Sequence, residues 1–157
     1  PHIYGDLTVT DEKQVKQNWE NLKLKEGKTS VLQGVPKSLP ALVKANRIQD
    51  TVAGVGIDWE HPEQVFEKLQ EELSELKVEV AAKNQQKMEA EFGDVLFSMI
   101  NYARFLNINP ENALERTNKK FIKRFQYLEK KTTEQGKSLK DMTLKEMDVY
   151  WEQAKSL

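Results

Sequence analysis

The apolar residues of this chain recur at intervals of three and four, and nowhere alternate over the roughly four to eight residues that a strand needs. Leu7–Thr10 comes nearest to a strand and is too short to build a sheet on. Cap residues punctuate the periodic stretches. Thr10 or Asp11 is placed to cap a helix running to about Glu26, with Val15, Trp19 and Leu22 on one face. Ser38 is placed to cap the next, which carries Leu39, Leu42, Val43, Ile48, Val52 and Val55 to a break at Gly54–Gly56. His61-Pro62-Glu63 reads as a cap, a first-turn proline and an acidic first turn, opening a helix to about Lys83 with Val65, Phe66, Leu69, Leu73, Leu76 and Val80 as its stripe. A polar turn over Asn84–Lys87 leads to a helix over Met88–Leu106, striped by Phe92, Val95, Leu96, Met99, Ile100 and Ala103. Asn109-Pro110-Glu111 starts another helix to about Lys131, and Thr143 with Glu146 forms a capping-box pattern opening a last one to about Ala154. The expected fold is all-α, an antiparallel helical bundle.

Composition narrows the chemistry. At 157 residues the chain is one domain long and can bury a core without disulfides or a structural metal. It has no cysteine, which excludes a disulfide scaffold, thiolate zinc sites, Fe–S clusters and a cysteine nucleophile. Its two histidines, His2 and His61, argue against multi-histidine metal sites; no histidine follows His61, which disfavours a di-iron bundle with its E-x-x-H ligands. With 24 basic against 25 acidic residues the net charge is −1, so dedicated nucleic-acid binding is not expected. No apolar run approaches the roughly 20 residues of a membrane span and no signal-peptide pattern opens the chain, so the expected location is the cytoplasm. The chain begins at Pro1 without an initiator methionine, as a processed protein or a piece of a longer one would.

Carboxylate is the resource that remains. Glu72 and Glu75 form one acidic pair at i,i+3, and Glu91 and Asp94 form another. At about 100° per residue each pair lies on one side of its helix, one turn apart. Two such pairs on antiparallel helices can gather four carboxylates, and a hard divalent cation, Mg²⁺ or Mn²⁺, is the natural counter-charge for oxygen ligands. The competing reading is a solvated helix face, common in a chain with 31% charged residues. Glu72, Glu91 and Asp94 flank the apolar stripes, at the edge of a core, and Glu75 lies further round. Gly93, between Glu91 and Asp94, costs about 1 kcal/mol relative to Ala in mid-helix, which close approach by a neighbour or ligand would explain.

Downstream, Lys120 and Arg124 stand at i,i+4 on one helix face. Such a pair suits polyphosphate oxygens; the alternative is a surface stripe pairing with Glu115 and Glu129. Phe121 and Phe125 read as core, and Trp151 as either packing or stacking on a nucleobase. Gly34-Val35-Pro36-Lys37-Ser38 is not a P-loop, and no dinucleotide-binding or nucleophile-elbow motif occurs.

Taken together, E-E-x-x-E over Glu71–Glu75, E-x-x-D over Glu91–Asp94 and the Asn118–Phe125 stretch resemble the MazG family of nucleoside triphosphate pyrophosphohydrolases. The segments Pro1–Asp6, Gly34–Leu42 and Val55–Trp59 resemble that family's C-terminal domain as well, so the likeness covers essentially the whole chain. The resemblance implies a single helical domain over 1–157, with 1–10 as an arm or linker and 63–131 as the core metal-binding helices, assembled as a homodimer. It implies Mg²⁺, or Mn²⁺, on Glu72, Glu75, Glu91 and Asp94, with Lys120 and Arg124 on the phosphates and Trp151 near the nucleoside. The implied reaction is hydrolysis of a nucleoside triphosphate to monophosphate and pyrophosphate, in nucleotide-pool housekeeping. Spacing leaves the general base open among the four carboxylates, and Glu75 is taken for it. Long members of the family have two such domains, of which this chain would be the second. The alternatives are a narrower pyrophosphohydrolase acting on dUTP, dCTP or phosphoribosyl-ATP, and a non-catalytic helical dimerisation module.

Overall fold

The structure, a computed structural model, describes residues 30–157. The expected arm over 1–10 and the helix from Thr10 or Asp11 to about Glu26 lie outside the described residues. Among the described residues the architecture is all-helical, with no strand. The helices are α1 (Ala41–Gly54), α2 (Pro62–Ala82), α3 (Gln85–Phe105), α4 (Pro110–Glu134) and α5 (Leu144–Ala154), with 3-10 turns at Val31–Gly34 and Leu139–Asp141. They fall into two compact units, the first ending at Pro110 and the second running Glu111–Leu157.

In the first unit, local chemistry sets each helix boundary. Ser38 does not cap α1. The ring of Pro40 bars Leu39 from the helical region, so the helix starts after the proline, whose carbonyl accepts from the Lys44 N–H at 2.8 Å. At the start of α2, Pro62 takes the first position and Gln64 reaches back, its Oε1 accepting from the N–H groups of Glu60 and His61 at 3.0 Å each. Lys83 closes α2 in the left-handed conformation (φ 55°), and the Asn84 N–H donates back to the Glu79 carbonyl at 3.3 Å. Asn84 then caps α3, its Oδ1 accepting from the Lys87 N–H at 3.1 Å. Hence α3 begins at Gln85, three residues before the expected Met88, and only Lys83 and Asn84 separate the two helices.

This short link folds α2 and α3 into an antiparallel hairpin packed along its length. Val65 and Leu69 of α2 and Val95 and Ile100 of α3 are buried, each contributing about 1.5–3 kcal/mol by leaving water. The expected stripes are not buried whole. Leu73 and Val80 on α2, with Phe92, Leu96 and Met99 on α3, stay between two-fifths and three-fifths exposed. The stripes are wider than the hairpin and α1 can cover. Packing also takes in a polar group: Gln49 of α1 is buried, and its Nε2 donates to the Phe97 carbonyl of α3 at 2.9 Å.

In the second unit, α4 starts with Pro110 in its first turn, as expected, and runs to Glu134, past the expected end near Lys131. Gly136, in the left-handed region (φ 69°), turns the chain so that the Lys137 N–H reaches the Thr132 carbonyl at 3.1 Å. The capping box of α5 forms as its sequence pattern predicts. The Glu146 N–H donates to Thr143 Oγ1 at 3.1 Å, and Glu146 Oε1 accepts from the Thr143 N–H at 3.3 Å. Leu128, Thr132, Met142 and Ala154 make the core; the Thr132 hydroxyl donates to the Leu128 carbonyl at 2.8 Å, with the Met142 sulfur also within reach of it. Phe121 and Phe125 are exposed rather than core, because α5 covers only part of the long α4. Their rings lie parallel at 6.3 Å, and Phe121 packs tilted on Trp151 at 5.2 Å.

Candidate active site

The α2–α3 hairpin brings carboxylates from both acidic pairs together. One oxygen each of Glu72, Glu91 and Asp94 lie within 4.8 Å of one another. They differ in exposure. Glu72 is buried at 6% relative exposure, Glu91 is half-buried and Asp94 is exposed, so the group opens from the hairpin interior to water. The helical stripe places Glu72 at a core edge; the hairpin packs closely enough to enclose it.

Burial leaves oxygens without partners. Oε2 of Glu72 and Oε2 of Glu91 are both shielded from solvent and accept no hydrogen bond among the described residues. An ionised carboxylate in that condition is costly unless positive charge reaches it. Glu75, exposed on the next turn of α2, lies close enough to feel the group. The Glu72 charge first, then partial loss of hydration and the Glu91 charge, push its carboxyl above the ordinary range. Glu75 therefore stands beside the three-carboxylate set. Glu79, one turn further along α2, also has a buried Oε2 with no partner.

Orphaned buried oxygens and a donor set made only of carboxylates fit a hard divalent cation.

Lys68 is the residue at this site that sequence reasoning missed. Its Nζ lies 2.8 Å from Glu72 Oε1 and 3.6 Å from Glu71 Oε1. The bond to Glu72 holds the ammonium above its ordinary range. The signal is present in the spacing, since Lys68 stands at i−4 to Glu72, a pairing any helix allows.

The other expected residues belong to the second unit. Lys120 and Arg124 are exposed on α4, and among the described residues neither is in an ion pair, so the alternative pairing with Glu115 and Glu129 is not formed. Trp151 is half-buried against Phe121. Gly93 has open space where a side chain would point: a Cβ there would meet nothing within 4 Å. The close neighbour expected to explain this glycine is not among the described residues.

An all-helical chain with a carboxylate group across one antiparallel hairpin is a carboxylate-site helical protein in class. Residues 60–128, which span both acidic helices and reach into α4, match the family model of the MazG nucleotide pyrophosphohydrolase domain. The chain is 42% identical over 99% of its length to the nucleoside triphosphate pyrophosphohydrolase/pyrophosphatase MazG of Thermotoga maritima, of which it covers 59%. It is 36% identical, again over 99% of its length, to the nucleoside triphosphate pyrophosphohydrolase of Escherichia coli, of which it covers 61%. The uncharacterized protein YabN of Bacillus subtilis is 46% identical over 99% of the chain, which covers 32% of that protein. The chain thus spans about three-fifths of the two named pyrophosphohydrolases. No described helix is long and apolar enough to cross a membrane.

Proposed function

We propose that this protein hydrolyses nucleoside triphosphates to nucleoside monophosphate and pyrophosphate at the Glu72, Glu75, Glu91 and Asp94 carboxylates, with Mg²⁺, or Mn²⁺ in its place. The observation that carries this reading is the convergence of Glu72, Glu91 and Asp94, two of them with buried oxygens that nothing satisfies. The names of the Thermotoga and Escherichia relatives support the same chemistry. A divalent cation bound there neutralises phosphate oxygens and lowers the pKa of a bound water.

The chain's own residues do the rest. Glu75 takes the proton from the attacking water. The water oxygen attacks the α-phosphorus, the bond from that phosphorus to the oxygen bridging the β-phosphate breaks, and pyrophosphate leaves. For Lys120 and Arg124 the proposed role is that which the resemblance implies, to offset charge on the phosphates, and for Trp151 to lie near the nucleoside. The protein works as a homodimer, a reading supported by the exposure of the large apolar residues Leu73, Val80, Phe92, Leu96 and Met99 on the hairpin helices. Its place is the cytoplasm, where nucleoside triphosphates are made and used, and its task there is housekeeping of the nucleotide pool.

The test is product analysis with each nucleoside triphosphate and Mg²⁺. Monophosphate plus pyrophosphate is expected, with Glu72→Ala inactive; diphosphate plus phosphate, or full activity in Glu72→Ala, would sink the reading.

A further inference from the structure

The hairpin interior already holds one cation. Lys68 Nζ, 2.8 Å from Oε1, is the N–H donor to the buried Glu72 carboxylate among the described residues. Its side chain is about one quarter exposed (27%), against 8% for that of Glu72. A carboxylate so enclosed needs positive charge, and Lys68 supplies it. A divalent cation seated between Glu72, Glu91 and Asp94 would put a second positive charge on the same carboxylate, and the two cations would repel.

Lys68 has another place to go. A polar cavity of about 220 Å³ adjoins it, lined by Trp59, Gln64, Glu67, Lys68 and Glu71. Glu71 is exposed on the next turn, with Oε1 already 3.6 Å from the ammonium. A change of partner from Glu72 to Glu71 therefore needs only a small swing of the lysine's flexible end. We propose that Lys68 is the resident counter-cation of the carboxylate group, and that a divalent cation entering it displaces the ammonium from Glu72 onto Glu71 at the edge of this cavity. Lys68 is on this account a positioning residue. It holds Glu72 in place when no divalent cation is present and sets how strongly one must bind to take over. The proposal rests on the reading of Glu72, Glu91 and Asp94 as a divalent-cation site.

Mn²⁺ titration by calorimetry, on the protein alone without nucleotide, tests it. Lys68→Met should melt at a lower temperature without Mn²⁺ and bind Mn²⁺ about tenfold more tightly, the size expected from removing one competing charge a few ångströms away. Lys68→Gln serves if the methionine variant does not fold, and Lys68→Arg should bind as the wild type does. Glu71→Gln should weaken Mn²⁺ binding in the wild type and much less in Lys68→Met, because only the lysine needs the receiving carboxylate. Unchanged or weaker binding in folded Lys68→Met or Lys68→Gln overturns the counter-cation role. An equal effect of Glu71→Gln in both backgrounds overturns the displacement. A wild type that binds no Mn²⁺ overturns the cation-site reading itself, and this one with it.

Discussion

Arg104 grips Asp58 at two points, Nη2 to Oδ1 at 2.6 Å and Nη1 to Oδ2 at 3.0 Å, tying the α1–α2 connection to the far end of α3. Both side chains are more than four-fifths buried, and the Asn101 Oδ1 accepts two more bonds from the same guanidinium. Asp58 Oδ1 also accepts from the Trp59 N–H at 2.9 Å, which fixes the turn just before α2. Removing one partner leaves the other charge enclosed. Arg104→Ala should lower stability by about 3 kcal/mol, measured by urea unfolding. Arg104→Lys keeps the charge but loses the planar fork, so it should recover only part of that loss.

Neutralising the carboxylate group should separate stability from cation binding. Glu91→Gln and Asp94→Asn each remove one of three crowded negative charges. Their melting temperatures without metal should therefore stay at or above that of the wild type. Mn²⁺ at about a hundred times its dissociation constant should stabilise the wild type by about 2.7 kcal/mol through linkage. The two variants should lose most of that gain in a thermal melt, and a full gain would remove them from the cation site.

In the second unit, the α5 cap ties stability to acid. The Thr143 N–H, then the Lys137 ammonium, holds the Glu146 carboxyl below its ordinary value of 4.5. A carboxyl depressed by folding stabilises the folded form above that ordinary value, and the contribution fades as pH falls through the lower, folded one. Ellipticity at 222 nm, followed from pH 7 to pH 3, should show α5 loosening over that range. Glu146→Gln should flatten the acid limb. Thr143→Ala should cost about 1 kcal/mol at neutral pH through the lost cap.

Gly93→Ala should stabilise the protein by about 1 kcal/mol, since it sits inside α3 and the new methyl group meets nothing within 4 Å. Mn²⁺ affinity should be unchanged. A fall in stability, read from the urea midpoint, would mean that something else occupies the space beside this glycine.

Caps that act over three or four residues are legible in the sequence alone. Pro110 in the first turn of α4 and the Thr143–Glu146 box are written in neighbouring letters, and the i,i+3 pairs at Glu72/Glu75 and Glu91/Asp94 foretell the carboxylate group. Ser38 misleads because Pro40, two residues on, overrides it. Asn84 misleads because a polar residue that caps a helix looks like one that continues a loop. Periodicity marks Val65 and Leu69 but equally Leu73 and Val80, since it fixes a face and not what covers that face. Gln49 with Phe97 and Asp58 with Arg104 are 48 and 46 residues apart, and no local pattern pairs them. Lys68 is different. Its spacing to Glu72 is in plain view, but i,i+4 ion pairs are common on any charged helix, and only the burial of Glu72 sets this one apart.

The two-residue link at Lys83 and Asn84 also bears on how the chain folds. Glu72 and Asp94 are close in sequence, so the carboxylates meet as soon as the hairpin closes, without waiting for distant segments. Short loops close quickly and lose little entropy. The hairpin thus gathers its negative charge early, while little else is in place to offset it. Divalent cations should consequently speed refolding in stopped-flow experiments as well as slow unfolding. The site would then be a nucleus whose formation depends on ions, and an effect confined to the unfolding limb would show instead that it assembles late.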